Sequence, residues 1–256
     1  MDWNASVYHR VSDPQFAWGE RVLASLELAG DERVADVGCG TGRLTRDLAA
    51  RVPRGSVLAL DRSGSMLEQA AHHLADLRPR VQLARADAAA LPLREAVDVI
   101  FSTATFHWVP DHDALFTSIF RALRPGGRLH AQCGGGPNLE RLRDRAAALC
   151  ATEPFARFLA GWTPSWHYAT AEATAERLAR IGFTSIDTSL EHTPTPFSSA
   201  ADFQQFVEHV CLHPYLNRLP QPLRPAFVQP LVTFAASDDP PFVLDYWRLN
   251  IRARRG

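Results

Sequence analysis

Hydrophobic and polar positions follow two periods along the first half of the chain, and the switches between them lay out the elements. Short apolar runs bounded by turn residues predict strands over RVADV (33–37), SVLALD (56–61), VQLARAD (81–87), VDVIFS (97–102) and RLHAQC (128–133). Apolar residues at three- and four-residue spacing predict helices over GRLTRDLAARV (42–52), SGSMLEQAAHHLADL (63–77) and DALFTSIFRAL (113–123). An earlier helix is predicted from about Asp13 to Ala29, with Asp13 as cap and Pro14 at its first position. DHD at 111–113 reads as the cap of the helix that follows it, and RPGG at 124–127 as a turn.

Strands alternating with helices predict right-handed crossovers and a mostly parallel sheet, and the Val- and Leu-rich strands fit burial on both faces. After Cys133 the pattern changes. GGGPN reads as a hinge or loop, residues 139–162 as helical, and TAEATAERLARIGF as a helix ending at Gly182. TSIDTSLEHT reads as a strand and FVLDYWRLNIRARR as the last one. Six of the 18 prolines fall between Pro214 and Pro240, so residues 199–236 should form two or three short helices. The closing RARRG reads as a frayed, solvated end.

Length and composition narrow the function. The 256 residues can bury a full core, and 46% hydrophobic with 21% charged residues is the balance of a soluble globular chain. A net charge of −1 argues against a nucleic-acid or anionic-membrane surface. No apolar stretch approaches the ~18 residues of a membrane helix, and the start lacks a secretory-signal layout. Cys39, Cys133, Cys150 and Cys211 are scattered, without zinc or disulfide spacing, so a reduced, cytoplasmic setting is expected. HVCLH at 209–213 lacks the glutamate of a zinc-binding H-E-x-x-H helix, and no metal is expected. All 27 basic residues are arginine, which excludes a lysine Schiff base and a P-loop lysine.

The chemistry concentrates in VADVGCGTGRL (34–44), where Gly38, Gly40 and Gly42 fall within five positions. A dinucleotide fingerprint needs a third glycine where this chain has Arg43. Asp36, two residues before Gly38, is a poor neighbour for pyrophosphate and a good one for a cation. The loop alone admits any nucleotide-type ligand. S-adenosylmethionine, with an ammonium, a carboxylate and a sulfonium but no phosphate, suits both features. Asp61 ends the second strand, where it can accept ribose hydroxyls, and Asp87 ends the third, where it can take adenine amino hydrogens. Met66 can cover the adenine face, though a core role reads equally well. Cys39, Arg62, Ala88 and Thr103 complete the expected cofactor contacts.

Taken in order, DVGCGTG, LALD, ARADAAALP and LRPGG resemble the class I S-adenosylmethionine-dependent methyltransferases over residues ~30–135. FSTATFHWVPDHDALF and DWNASVYHRV resemble the trans-aconitate methyltransferase group of small-molecule enzymes. The resemblance implies a doubly wound, Rossmann-like α/β sheet of seven strands, mostly parallel with the last antiparallel, in a single domain over 1–256. Its core would be about 30–135 with strands near 183–192 and 242–254, under a helical cap from 1–29, 136–170 and 199–236. Ligands of such sheets lie beyond the carboxyl ends of the strands. That puts Thr103 by the methionine tail, His107 and Trp108 by the methyl group, and Gln132 in the same cavity. Trp3, Tyr8, Gln15, Trp18, Trp162, Trp166 and Tyr168 are further lining candidates.

His107 is the candidate catalytic residue, either as a base or as a group that positions the acceptor. The reading is methyl transfer to a small molecule, at a carboxylate or hydroxyl oxygen, by a monomer or homodimer. Nitrogen or carbon methylation and non-catalytic cofactor binding stay open at this point. A nicotinamide oxidoreductase is disfavoured by Arg43 and Asp36.

Overall fold

The chain folds around one twisted sheet, and the computed structural model describes residues 13–256, with side chains from Phe16 onward. Helix α1 (Asp13–Ala24) leads into β1 (Arg33–Val37), α2 (Arg43–Arg51), β2 (Ser56–Asp61), α3 (Gly64–His73) and β3 (Val81–Arg85). Then come β4 (Val97–Thr103), α4 (His112–Ala122) and β5 (Leu123–Gly134), whose first residues take in the RPGG segment. The second half supplies α5 (Glu140–Cys150), α6 (Ala156–Leu159), α7 (Ala171–Ile181), β6 (Phe183–His192) and β7 (Thr195–Pro196). It closes with α8 (Ala200–Phe206), α9 (His213–Arg218), α10 (Arg224–Ala236), β8 (Val243–Leu244) and β9 (Trp247–Arg255).

The sheet order is β3-β2-β1-β4-β5-β9-β6. The first five strands pair in parallel, and β9 runs antiparallel between β5 and β6. The expected seven-stranded sheet with an antiparallel last strand is therefore present. Central β4 is buried from Val97 to Ser102, with Asp98 accepting the Arg33 amide at 2.7 Å and Ser102 donating to the Val37 carbonyl at 2.6 Å. The order reverses at β1, whose neighbours are β2 and β4, so a crevice opens past their carboxyl ends.

Side-chain caps set several helix starts. Ser63 accepts from the Met66 amide, Asp111 from Ala114 and Thr170 from Ala173. Three apolar clusters form. One packs α1–α3 against β1–β3, and a second packs α4 and α7 against β4, β5 and β9. The third lies within the layer of α5, α6 and α8–α10, and it takes in Trp18 from α1 and Tyr246 beside β9. No helix among the described residues is long and apolar enough to cross a membrane.

Several expectations shift. Helix α1 stops at Ala24 rather than Ala29, because the Glu32 carboxylate accepts the Ala29 and Gly30 amides at 2.7 and 2.9 Å and turns the chain. The stretch 139–162 divides into α5 and α6 around Pro154, which has no amide hydrogen to continue a helix. The carboxyl terminus is not frayed. Arg255 lies in β9, donates to the carbonyls of Phe120 and Leu123, and pairs with Glu95 at 2.6 Å. The Gly134–Gly136 loop is close-packed rather than open: Gly135 and Gly136 donate to the carbonyls of Trp247 and Ala169 at 3.2 and 2.9 Å. A Cβ on Gly135 would lie 2.5 Å from Leu249 Cβ.

Candidate active site

A cavity of about 250 Å³ opens past the ends of β1, β2 and β4 and reaches under the helical layer. Its floor begins at the glycine loop, and the three glycines differ in what they face. A Cβ on Gly38 would lie 2.0 Å from Thr105 Oγ1, and one on Gly42 would lie 2.7 Å from Leu74. Those two let protein pack on protein. A Cβ on Gly40, at φ 54°, would meet nothing within 4 Å, so this glycine leaves backbone open to a ligand.

The loop is tied down from both sides. The Gly38 and Cys39 amides donate to the Leu60 carbonyl at 2.7 and 3.0 Å. Asp61 accepts the Gly40 amide at 2.9 Å on one oxygen and the Ser63 amide at 2.8 Å on the other. Asp61 is itself part of the cavity wall. Burial raises the Asp61 pKa against the pull of those amides. Asp36 lies beneath the loop, 3% exposed, and accepts from Thr45 Oγ1 at 2.6 Å. Burial and then the nearby Asp61 charge raise its pKa to about 7, with Thr45 opposing. Neither Asp36 nor Cys39 is in the cavity wall, and the Cys39 thiol, pushed up by burial, is protonated.

Arg62, Met66, Asp87, Ala88 and Thr103 do line the cavity, around one end of it. Asp87 caps its own short turn, one oxygen accepting from the Ala89 amide at 2.9 Å. The structure therefore gathers Gly38, Gly40, Asp61, Arg62, Met66, Asp87, Ala88 and Thr103 about one space.

The other end is built from His107, Trp108, Trp166, Tyr168, Tyr246 and Arg248. The turn Phe106–Trp108 follows β4 directly and is held by the His167 amide, which donates to the His107 carbonyl at 2.9 Å. The His107 ring stacks on Tyr168, with centroids 5.6 Å apart. Its Nδ1 accepts the Gly134 amide hydrogen at 3.3 Å. Burial, then Arg248 and His112, lower its pKa to about 3, so the ring is neutral.

Three expected lining residues, Gln132, Trp162 and Trp18, are not in the wall. Gln132 spends its amide on Asn250, directly opposite across the β5–β9 ladder, at 2.7 Å, and is absent from the wall. Trp162 packs against Tyr215, with Arg218 over its ring. Trp18 backs the wall from behind Arg248. Trp3 and Tyr8 lie outside the described residues, as does the side chain of Gln15.

Arg248 is a residue that sequence reasoning missed. It is 3% exposed, its guanidinium lies 3.3 Å over the Trp18 ring and 4.4 Å over Tyr246, and burial lowers its pKa to about 10. Its Nε and Nη2 have no hydrogen-bond partner among the described residues. The sequence offers no local signal for it, since Arg248 is one of four arginines in WRLNIRARR.

A methyltransferase-domain family profile matches residues 34–127. The trans-aconitate 2-methyltransferase of Variovorax paradoxus is 32% identical over 235 residues, covering 89% of this chain and 86% of its own. Among solved structures, Haemonchus contortus phosphoethanolamine N-methyltransferase 2 in complex with S-adenosyl-L-methionine aligns with a TM-score of 0.63 at 19% identity. That alignment covers 98% of this chain and 56% of the other, so this chain spans about half of that protein's length. A putative methyltransferase from Bacillus halodurans aligns with a TM-score of 0.63 at 16% identity, over 93% of this chain and 99% of its own.

Proposed function

This chain belongs to the trans-aconitate 2-methyltransferase family and uses S-adenosylmethionine, and from that premise we propose that it methylates a carboxylate of a small organic acid. Trans-aconitate, the acceptor in the relatives' name, is the first candidate.

The cofactor supplies an electrophilic methyl group on a sulfonium. The donor set fits it: an open Gly40 backbone, the Asp61 and Asp87 carboxylates, and Met66 as an apolar cover. Asp61 takes the ribose hydroxyls, Asp87 the adenine edge, and Thr103 faces the methionine end. Asp36 fixes the loop from beneath through Thr45. The layer of α5, α6 and α8–α10 acts as the cap that excludes water from the acceptor.

The observation that carries the carboxylate reading is the state of His107. With Nδ1 committed to the Gly134 amide, the neutral ring holds its proton on Nε2 and is a donor there, not a base. A phenol or ammonium acceptor would need a proton removed before attack. A carboxylate arrives ionised, and an N–H donor is the group that orients it.

The test offers trans-aconitate, a phenol and a primary amine of similar size under saturating S-adenosylmethionine, reading S-adenosylhomocysteine release. Turnover with the acid alone is the expected outcome. Turnover with the amine or the phenol and not the acid would overturn the reading.

A further inference from the structure

The strongest unassigned feature is the Arg248 guanidinium at the acceptor end of the cavity. A buried cation is normally matched by a carboxylate, because desolvation without a partner is costly. Arg248 is 3% exposed, yet no carboxylate of the described residues lies within ion-pair distance of it. What surrounds it is aromatic and thiol. Trp18 and Tyr246 hold the guanidinium by ring contact, and Tyr168, Cys133 and Cys211 are its other electrostatic neighbours. Ring contacts fix the plane of a guanidinium while leaving its N–H edges unused. Two of its nitrogens, Nε and Nη2, have no partner among the described residues.

Its place in the sheet explains why it reaches the acceptor. Arg248 pairs with Gly134 across the β5–β9 ladder, and the Gly134 amide is the donor to His107 Nδ1. The guanidinium and the imidazole therefore approach the same stretch of wall, and Arg248 is close enough to depress protonation of His107.

We propose that Arg248 is the carboxylate anchor of the acceptor site, binding the carboxylate that His107 orients, so that the acceptor is an organic acid held by its reacting carboxylate. This rests on the carboxylate-methylation reading above. Both donors line the same end of the cavity, where ring and aliphatic surface from Trp108, Trp166, Tyr168 and Val210 stands beside the polar side chains of Asn138 and Ser165. The anchor also disfavours product. Once the carboxylate is an ester it carries no charge, and the guanidinium loses the partner that held the ligand.

The test measures binding of trans-cinnamate, trans-aconitate and the amide of each acid to the full chain saturated with S-adenosylhomocysteine, by titration calorimetry. At least one acid binds the wild type about tenfold or more tightly than its amide, the scale of a charge-assisted hydrogen bond. In Arg248→Met that ratio falls to about one while S-adenosylhomocysteine affinity is unchanged, and Arg248→Lys restores part of it. Arg248→Gln, which keeps polarity and size, loses the ratio as well and serves if the Met variant does not fold. An acid-to-amide ratio equal in wild type and variants overturns the proposal, as does a wild type that prefers none of the acids. If an acid binds through Arg248 and is not methylated, the anchor stands and the carboxylate-methylation reading fails.

Discussion

Replacing His107 with asparagine separates orientation from base catalysis. The asparagine amide oxygen can take the place of Nδ1 and accept the Gly134 hydrogen, which is held at 3.3 Å in the wild type, so the loop behind it is preserved. The side chain is too short to present a donor where Nε2–H stood. The variant therefore loses one hydrogen bond to an ionised carboxylate, about 1.5–3 kcal/mol. That corresponds to a roughly ten- to hundredfold rise in the acceptor KM, with kcat changed by only a few-fold. A lost general base would instead lower kcat by ~10²–10⁴. Steady-state kinetics with trans-aconitate at saturating S-adenosylmethionine distinguishes the two, and the pH profile adds a second check. Because His107 is held near pKa 3, the wild-type kcat should show no His107 inflection between pH 5 and 8. A large fall in kcat at unchanged KM, or an acid limb near neutrality that disappears in the variant, would refute the orienting role.

Four further outcomes follow from the structure. Gly40→Ala should weaken S-adenosylmethionine binding about tenfold or more with only ~1 kcal/mol lost in stability, because its Cβ meets no protein and enters ligand space. Gly38→Ala should show the reverse emphasis, losing at least ~2 kcal/mol of stability in denaturant melts from its collision with Thr105; equal effects at both glycines would contradict this division. Asp61→Ala should cost ~1.5–3 kcal/mol of cofactor affinity by calorimetry, and unchanged affinity would remove Asp61 from the site. Thermal melting should fall on acidification from pH 7 to pH 5. His107, His112 and His130 are lowered from 6.5 to about 3, 4 and 4, so the unfolded chain binds protons there that the folded one refuses. Asp36, raised to about 7, works in the opposite sense over that window but is outnumbered, and a flat or rising melting temperature would be inconsistent with the three depressed imidazoles.

The half of the site proposed to hold the cofactor was legible because its signals are local. A glycine loop after a buried strand and acidic residues at two strand ends can each be read from their neighbours in sequence, and Asp61 and Asp87 fall on the cavity as expected. Asp36 was legible as an anomaly but not as a position, since its pairing with Thr45, nine residues on, depends on how the loop folds back. Gln132 illustrates a different blindness: its partner is Asn250, and only the ladder between β5 and β9 brings them together. Arg248 was hidden most completely. Arg248, Arg252 and Arg254 alternate on one face of β9, and the sequence treats them alike. Arg252 and Arg254 are exposed, whereas Trp18 from the first helix and the layer above cover Arg248. The same distance in sequence explains why Arg255, read as part of a loose end, is instead fastened to the end of α4.

The identity of the product tests the central claim most directly. The full chain is incubated with S-adenosylmethionine and trans-aconitate, and the product is examined by mass spectrometry before and after mild alkaline hydrolysis. The account predicts an acid that has gained a single CH₂, formed together with S-adenosylhomocysteine, and returned to the starting acid by alkali as a methyl ester must be. A methylated product that survives alkali unchanged would place the new bond on nitrogen, carbon or an ether oxygen, and would contradict it.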